Sequence, residues 1–489
     1  MRGKRTGTKP DFDVVVLGGG SAGYAAARTT ARAGLKTAVI ESAKELGGLC
    51  ILRGCMPTKA LLHSAEVRHL AGRAAEFGVR TGRVGHDFRA VLARKALLIG
   101  DFAGYRREQL EDGRFELIRG RAAFVDPHTL EVDEAGAGRR RVTARSVVVA
   151  TGSKPSFPAV PGLAEAGAWT SDDALEPKKL PKSLIVLGGG PIAVEFAQFF
   201  ARLGSRVTLI QRSPRILKAE DADVAKVLEG VLAREGVQVL TGTHLIAVEE
   251  SRSRKVVHFE HEGVRKRTVA DELLVALGRS PNTEGLGLDR VGVETEKGRI
   301  LTDAGMRTSV AHIYSGGDCT SAHEIVHLAV LQGEVAGHNI AFPRRRREMD
   351  DRLLISVVFT EPQVATVGLT EAGAGSRGVP FLSATYPFGD HGKSMILGAT
   401  DGFVKLLADP RSGEILGGAC VGPQGGELIH EIVAAMAKRM TVGELAAMPH
   451  YHPTLAEIWT YPAEELAGEI ADSRRKPRPG RKKGKAAGG

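Results

Sequence analysis

Cys50 and Cys55 are separated by four residues in GGLCILRGCMPTKALL, directly ahead of a helical stretch. With only four cysteines in 489 residues, a pair this close reads as catalytic or metal-binding rather than as part of a disulfide scaffold. A structural metal asks for about four soft ligands. Only Cys319 and Cys420 remain, and they form no second close pair, so no metal site is expected. A redox disulfide is the expectation. Residues five apart on a regular helix lie about 8 Å from each other, beyond disulfide reach. The pair therefore needs a distorted first turn, which Gly54 permits. A cysteine at a helix N-terminus is also favoured as its thiolate. Thiol exchange needs a proton carrier, and HYHPTLAEIW supplies His452 with Glu457 five residues on. The carboxylate can fix the imidazole tautomer and stabilise its charged form. In isolation a His-Pro followed by a glutamate is ordinarily a loop histidine; the cysteines give it a reaction to serve.

The electrons must go somewhere, and two glycine-rich segments offer nucleotide sites. DVVVLGGGSAGYAAARTTARAGLKTAVIE runs from Asp13 to Glu41, and SLIVLGGGPIAVEFAQFFARLGSRVTLIQ from Ser183 to Gln211. Each reads as a strand, a glycine turn, an alanine-rich helix and a second strand, the βαβ unit of a dinucleotide-binding domain. In the first, Gly18 serves the tight turn, Gly20 the approach of a pyrophosphate and Gly23 close helix packing, while Glu41 is placed to accept from a ribose diol. In the second, Gly188 and Gly190 are followed by Ala193. The position equivalent to Glu41 is Gln211, with Arg212 next to it. An acid there repels a ribose 2′-phosphate, whereas a neutral residue beside a guanidinium accommodates one, so local charge favours NADPH over NADH.

These units need a large scaffold, and the length allows two to four domains. The fold class expected is α/β: two Rossmann-like nucleotide-binding domains followed by a C-terminal α+β domain. SVVVATGSKP and ELLVALGRSPN, each a buried strand ending in a glycine turn, read as crossings between domains. They divide the chain into 11–152 and 278–345 for the first nucleotide domain, 153–277 for the second, and 348–470 for the α+β domain. Residues 1–10 and 473–489 read as basic ends without fixed structure. Those ends carry twelve positive charges, more than the whole net charge of +10, so the body between them is slightly acidic. Functional nucleic-acid binding is therefore disfavoured. No apolar run reaches the length of a membrane span, and MRGKRTGTKP has no signal-peptide core, so the cytoplasm is the expected location.

With these residues in view, the sequence resembles the class I pyridine nucleotide-disulfide oxidoreductases over about residues 11 to 470. GGLCILRGCMPTK is similar to the family's redox signature, and HPTLAE to its base motif. ATG with Thr151 and Gly152, GRSPN beginning at Gly278, and GGD ending at Asp318 fall where the family places its own versions. The resemblance implies FAD on the first unit, NAD(P)H on the second and a C-terminal dimerisation domain, hence a homodimer. It implies that Cys50 exchanges with a small dithiol or disulfide substrate, or a lipoyl domain, while Cys55 lies against the flavin. It further implies that Lys59 pairs with Glu195 near the flavin ring, that Asp318 holds the ribityl chain, and that His452 and Glu457 act in the partner subunit's site. MPTKALL and HPTLAE look most like the dihydrolipoyl dehydrogenase branch. Arg53 looks more like some glutathione reductases, and Gln211–Arg212 stands where NAD-linked dihydrolipoyl dehydrogenases carry an acid, so an NADPH-dependent, glutathione reductase-like disulfide reductase is the alternative. The mercuric reductase branch is set apart by extra C-terminal cysteines that this chain lacks.

Overall fold

A computed structural model of the chain describes residues 9–134 and 136–475. The expectations for residues 1–8 and 476–489 lie outside the described residues. Two compact units result: Met1–Ile216 with Glu235–Asp350, and Leu217–Arg234 with Asp351–Gly489.

In the first unit, the strand Phe12–Leu17 pairs in parallel with Thr37–Glu41 on one side and with the end of Gly138–Val149 on the other. Glu116–Asp126 and Ile313–Ser315 extend this sheet. Successive side chains of a strand face opposite ways, and both faces here are covered. Val14 and Val16 pack toward Tyr24, Ala26 and Ala27 of the helix Ser21–Arg32, and Val15 and Leu17 toward Phe124, Leu130 and Val142. Burial on both faces explains why these strands read as unbroken apolar runs. Two of the strands are long enough to serve twice. Gly120 to Asp126 and Gly138 to Thr143 leave the parallel sheet and pair antiparallel with Thr129–Glu134. The second βαβ unit builds its own parallel sheet, in the order Glu272–Val275, Ser183–Leu187, Arg206–Ile210, Gln238–Leu240. The two crossing segments pair with each other, Ser153–Pro155 running antiparallel to Arg279–Pro281.

The second unit is a five-stranded antiparallel sheet, in the order Ile355–Val358, Gln363–Gly368, Ile415–Gly422, Phe403–Ala408, Leu382–Pro387. Trp459 and Ile429 sit in its core, buried among Val404, Leu406 and Ile458. Its extent differs from the expected 348–470 in two ways. Residues 217–234 join it rather than the nucleotide-binding segment 153–277, because the helix Ala222–Arg234 packs on Ile415–Gly422. Lys405, 1% exposed, holds that segment through Asp221 at 3.3 Å and Asp223 at 2.7 Å, with Glu371 at 3.1 Å. At the other end, the helix Thr460–Arg475 runs through Ser473, Arg474 and Arg475, which were expected to begin the unstructured tail. Ser473 Oγ donates to Ile470 O at 2.8 Å, and arginines suit the negative end of a helix dipole. Arg344 to Arg347 lie at the surface as expected, with Arg346 pairing to Asp303 at 2.9 Å. Among the described residues no helix is long and apolar enough to cross a membrane.

Candidate active site

Cys50 and Cys55 lie on two separate helices, Gly48–Leu52 and Cys55–Gly72, with the break at Arg53 and Gly54. This is the distortion the spacing demands. A Cβ at Gly54 would stand 3.0 Å from Leu49 O and 3.2 Å from Cys50 Cα, so a larger residue would crowd the two turns. Thr58 Oγ1 donates to Gly54 O at 2.7 Å and ties the break to the second helix. Both cysteines are half-buried, and as a dithiol the two sulfurs are unequal. They share one proton unequally. The hydrogen bond from Cys50 draws the Cys55 thiol down to about 7, aided by the Lys59 ammonium, while the same bond and burial push Cys50 up. Cys55 is thus the thiolate and Cys50 the thiol.

Lys59 is one helical turn beyond Cys55. The helix Cys55–Gly72 packs on Pro191–Arg202 of the second βαβ unit, and Lys59 Nζ meets both oxygens of Glu195, at 3.0 and 2.9 Å. Glu195 is 4% exposed, so this pair is fixed in a largely desolvated place beside the sulfurs.

The glycine turns have the geometry of dinucleotide cradles. Gly23 is held against Gly18, whose carbonyl oxygen would lie 1.8 Å from a Cβ at position 23. The helix Ser21–Arg32 begins at Gly20 with no side-chain cap and no acid in its first turn, which leaves its N–H groups and dipole for a phosphate. Glu41 folds back over the turn, its Oε2 accepting from Gly19 N at 2.8 Å. The helix Pro191–Arg202 likewise starts uncapped at Gly190, after Gly188, with Ala193 buried. Gln211 lies over Gly189 as Glu41 lies over Gly19, and its Oε1 accepts from Arg212 N at 3.1 Å. Thr151, Gly152 and Gly278 flank the paired crossings, and Gly152 O accepts from Asn282 N at 2.8 Å. Asp318, just past Ile313–Ser315, takes a 2.6 Å hydrogen bond from Ser153 Oγ.

In the second unit, His452 Nδ1 lies 2.9 Å from Glu457 Oε2. A carboxylate only accepts, so Nδ1 carries the proton and Nε2 the lone pair. His452 is 75% exposed, and its Nε2 has no hydrogen-bond partner among the described residues. The neighbouring His450 is a useful contrast. Its Nε2 is 2.6 Å from Glu431 and its Nδ1 3.0 Å from Met448 O, so both nitrogens are engaged and the ring is structural.

Residues 12–333 match the pyridine nucleotide-disulphide oxidoreductase family, and residues 354–463 match that family's dimerisation domain. The chain belongs to this family. Dihydrolipoyl dehydrogenases from Chlamydia muridarum and Chlorobaculum tepidum are 37% and 39% identical to it, over 92% and 91% of this chain and 95% of each of theirs. Among solved structures, LpdA from Mycobacterium tuberculosis superposes with a TM-score of 0.84 at 29% identity, covering 93% of this chain and 99% of that one. The HOCl-induced flavoprotein disulfide reductase RclA from Escherichia coli gives 0.81 at 27% identity, covering 92% and 99%.

This pyridine nucleotide-disulphide oxidoreductase has a first βαβ unit that fits FAD: an uncapped helix start for the pyrophosphate, a carboxylate at the ribose position, and Lys59–Glu195 beside the thiolate. The second unit fits a nicotinamide nucleotide on the same grounds. One pair of residues beside His452 and Glu457 escaped the sequence. His391 is wholly buried, its Nε2 3.4 Å from Glu457 Oε1 and its Nδ1 2.9 Å from Ser394 Oγ. It stands 61 positions before His452 in a polar loop, and no spacing signal links the two.

Proposed function

We propose that this chain is a dihydrolipoyl dehydrogenase, a homodimer of the cytoplasm that oxidises a dihydrolipoyl dithiol and hands the electron pair to a nicotinamide nucleotide. The observation that carries the reading is the pair Cys50 and Cys55 set on either side of the helix break at Arg53 and Gly54, with the Lys59–Glu195 pair beside them. The curated relatives of that name support it.

The cycle starts with the Cys50–Cys55 bond closed. His452 Nε2, from the other subunit, takes the proton of one substrate thiol, and the new thiolate attacks Cys50 Sγ. The bond between the cysteines breaks, and Cys55 leaves as a thiolate faced by the Lys59 ammonium. The second substrate thiol then attacks its own mixed disulfide, closing the product ring and returning its proton to Cys50. Glu457 accepts from Nδ1 throughout and stabilises the imidazolium. Two electrons and two protons have moved from substrate to protein, one proton resting on His452 and one on Cys50. FAD, when bound, supplies the two-electron chemistry that joins a dithiol to a nicotinamide, which sulfur and hydride chemistries cannot do directly. Asp318 and Glu41 would hold it by its ribityl and ribose hydroxyls.

A second reading keeps the thiols and reverses the flow: an NADPH-dependent disulfide reductase. The neutral Gln211 beside Arg212, where a carboxylate would repel a 2′-phosphate, favours NADPH as the nucleotide. Turnover of purified protein on dihydrolipoamide, glutathione disulfide and mercuric ion, each with both nicotinamides, separates these. Dihydrolipoamide oxidation exceeding the other activities by at least about tenfold is expected. A preference of that size for glutathione disulfide or mercuric ion overturns the assignment.

A further inference from the structure

The catalytic pair in the second unit is part of a longer chain of contacts. Glu457 offers two oxygens: Oε2 faces His452 Nδ1 at 2.9 Å, and Oε1 faces His391 Nε2 at 3.4 Å. The His391 ring is 0% exposed and is boxed edge-on by Phe388 and Tyr461, with ring centres 6.4 Å away in both cases. Tyr461 is itself stacked on Tyr386 at 4.0 Å, so the wall is stiff. His391 Nε2 makes no hydrogen bond among the described residues; a buried N–H without an acceptor is costly, and the acceptor it faces is Glu457 Oε1 at 3.4 Å. Because a carboxylate cannot donate, the His391 proton belongs on Nε2. Nδ1 must then accept, and the Ser394 hydroxyl at 2.9 Å is its donor.

We infer that His391 is a positioning residue for the His452–Glu457 pair, a buried neutral imidazole that pins the second oxygen of the carboxylate so that the first stays aimed at His452 Nδ1. This rests on the proposed function and assigns it one more residue. The neutral state matters. Burial lowers the affinity of His391 for a proton, against the pull of Glu457 and with the nearby His452 also opposing a second charge. A lysine or arginine at this place would neutralise Glu457 and weaken its hold on the imidazolium. A neutral donor fixes the carboxylate plane and leaves its charge intact for His452. At 3.4 Å the contact is an electrostatic approach of the N–H to the carboxylate rather than a formed hydrogen bond, while the carboxylate's hydrogen bond goes to His452.

The test is a double-mutant cycle on flavin reduction by dihydrolipoamide, followed anaerobically in the loaded dimer, with flavin content and dimer mass measured for each variant. His391→Phe fills the cavity without a donor and should slow reduction about tenfold. His391→Gln keeps an N–H donor and should recover most of that rate. In a His452→Ala background, His391→Phe should have no further effect, since its whole influence passes through His452. If His391→Phe does not assemble, Ser394→Ala, which removes the tautomer-selecting hydroxyl, should give a loss of about threefold that likewise vanishes in the His452→Ala background. Equal losses in both backgrounds, or no loss from either variant, overturn the inference. If His452→Ala itself leaves reduction unchanged, the functional reading fails and takes this inference with it. If His452→Ala slows reduction and His391→Phe does not, only His391 loses its role.

Discussion

At the scale of single residues, the proposed chemistry rests on two unequal sulfurs. Cys55 has its pKa lowered from 9.0 to about 7, so its thiolate is present in the reduced protein above that pH and is lost as pH falls through it. The main cause is the hydrogen bond from Cys50, which gives a prediction with a sign. In reduced Cys50→Ser, whose hydroxyl can still donate, alkylation of Cys55 by iodoacetamide should be half-maximal near pH 7. In Cys50→Ala, which cannot donate, the midpoint should move up toward the ordinary thiol value. An unchanged midpoint in the alanine variant would assign the shift to Lys59 instead. Lys59→Met tests the ammonium separately. It removes a charge facing a carboxylate that is 4% exposed, while Lys59 itself keeps 30% exposure, so a loss of about 2 kcal/mol by denaturant unfolding is expected, with the Cys55 midpoint raised. The cysteines and His452 with Glu457 were legible from residue type and spacing. Lys59–Glu195 followed only from resemblance, because the two lie 136 positions apart and meet through helix packing. His391 gave no signal, since nothing in one sequence distinguishes a buried histidine in a polar loop from an exposed one.

At the scale of elements, the break between Gly48–Leu52 and Cys55–Gly72 decides whether the sulfurs can meet. Gly54→Ala would press a methyl 3.0 Å from Leu49 O. Flavin should still bind, while steady-state turnover falls by about tenfold or more, because the two turns are forced apart. Gly23→Ala belongs to the other element and has the opposite signature: the clash with the Gly18 carbonyl should empty the flavin site, read directly from the absorbance of the purified protein. Both βαβ units were legible because the glycine spacing, the apolar runs and the helix between them agree with one another. What stayed hidden was partnership. Glu116–Asp126 and Gly138–Val149 each serve two sheets, and an alternation of apolar residues does not say where a strand changes neighbours. The helix Ala222–Arg234 shows the same limit. Its assignment to the C-terminal unit follows from its packing on Ile415–Gly422 and from Lys405 holding Asp221 and Asp223, all distant in sequence.

At the scale of the whole molecule, the chain divides its labour between nucleotide-binding segments and a C-terminal unit that presents the exposed His452. On the proposed function each subunit needs the other, so mixing inactive Cys50→Ser with inactive His452→Ala subunits should restore about a quarter of wild-type activity per dimer site. Truncation after Arg475 should leave turnover within about twofold, since the basic tail lies beyond the last described helix and carries none of the proposed site residues. The most direct measurement is NAD(P)+-dependent turnover of dihydrolipoamide by the wild type, Cys50→Ser and Cys55→Ser, with bound flavin quantified in each. Both variants should keep their flavin and lose about a thousandfold or more of the rate. Full turnover with serine at either position would contradict the account.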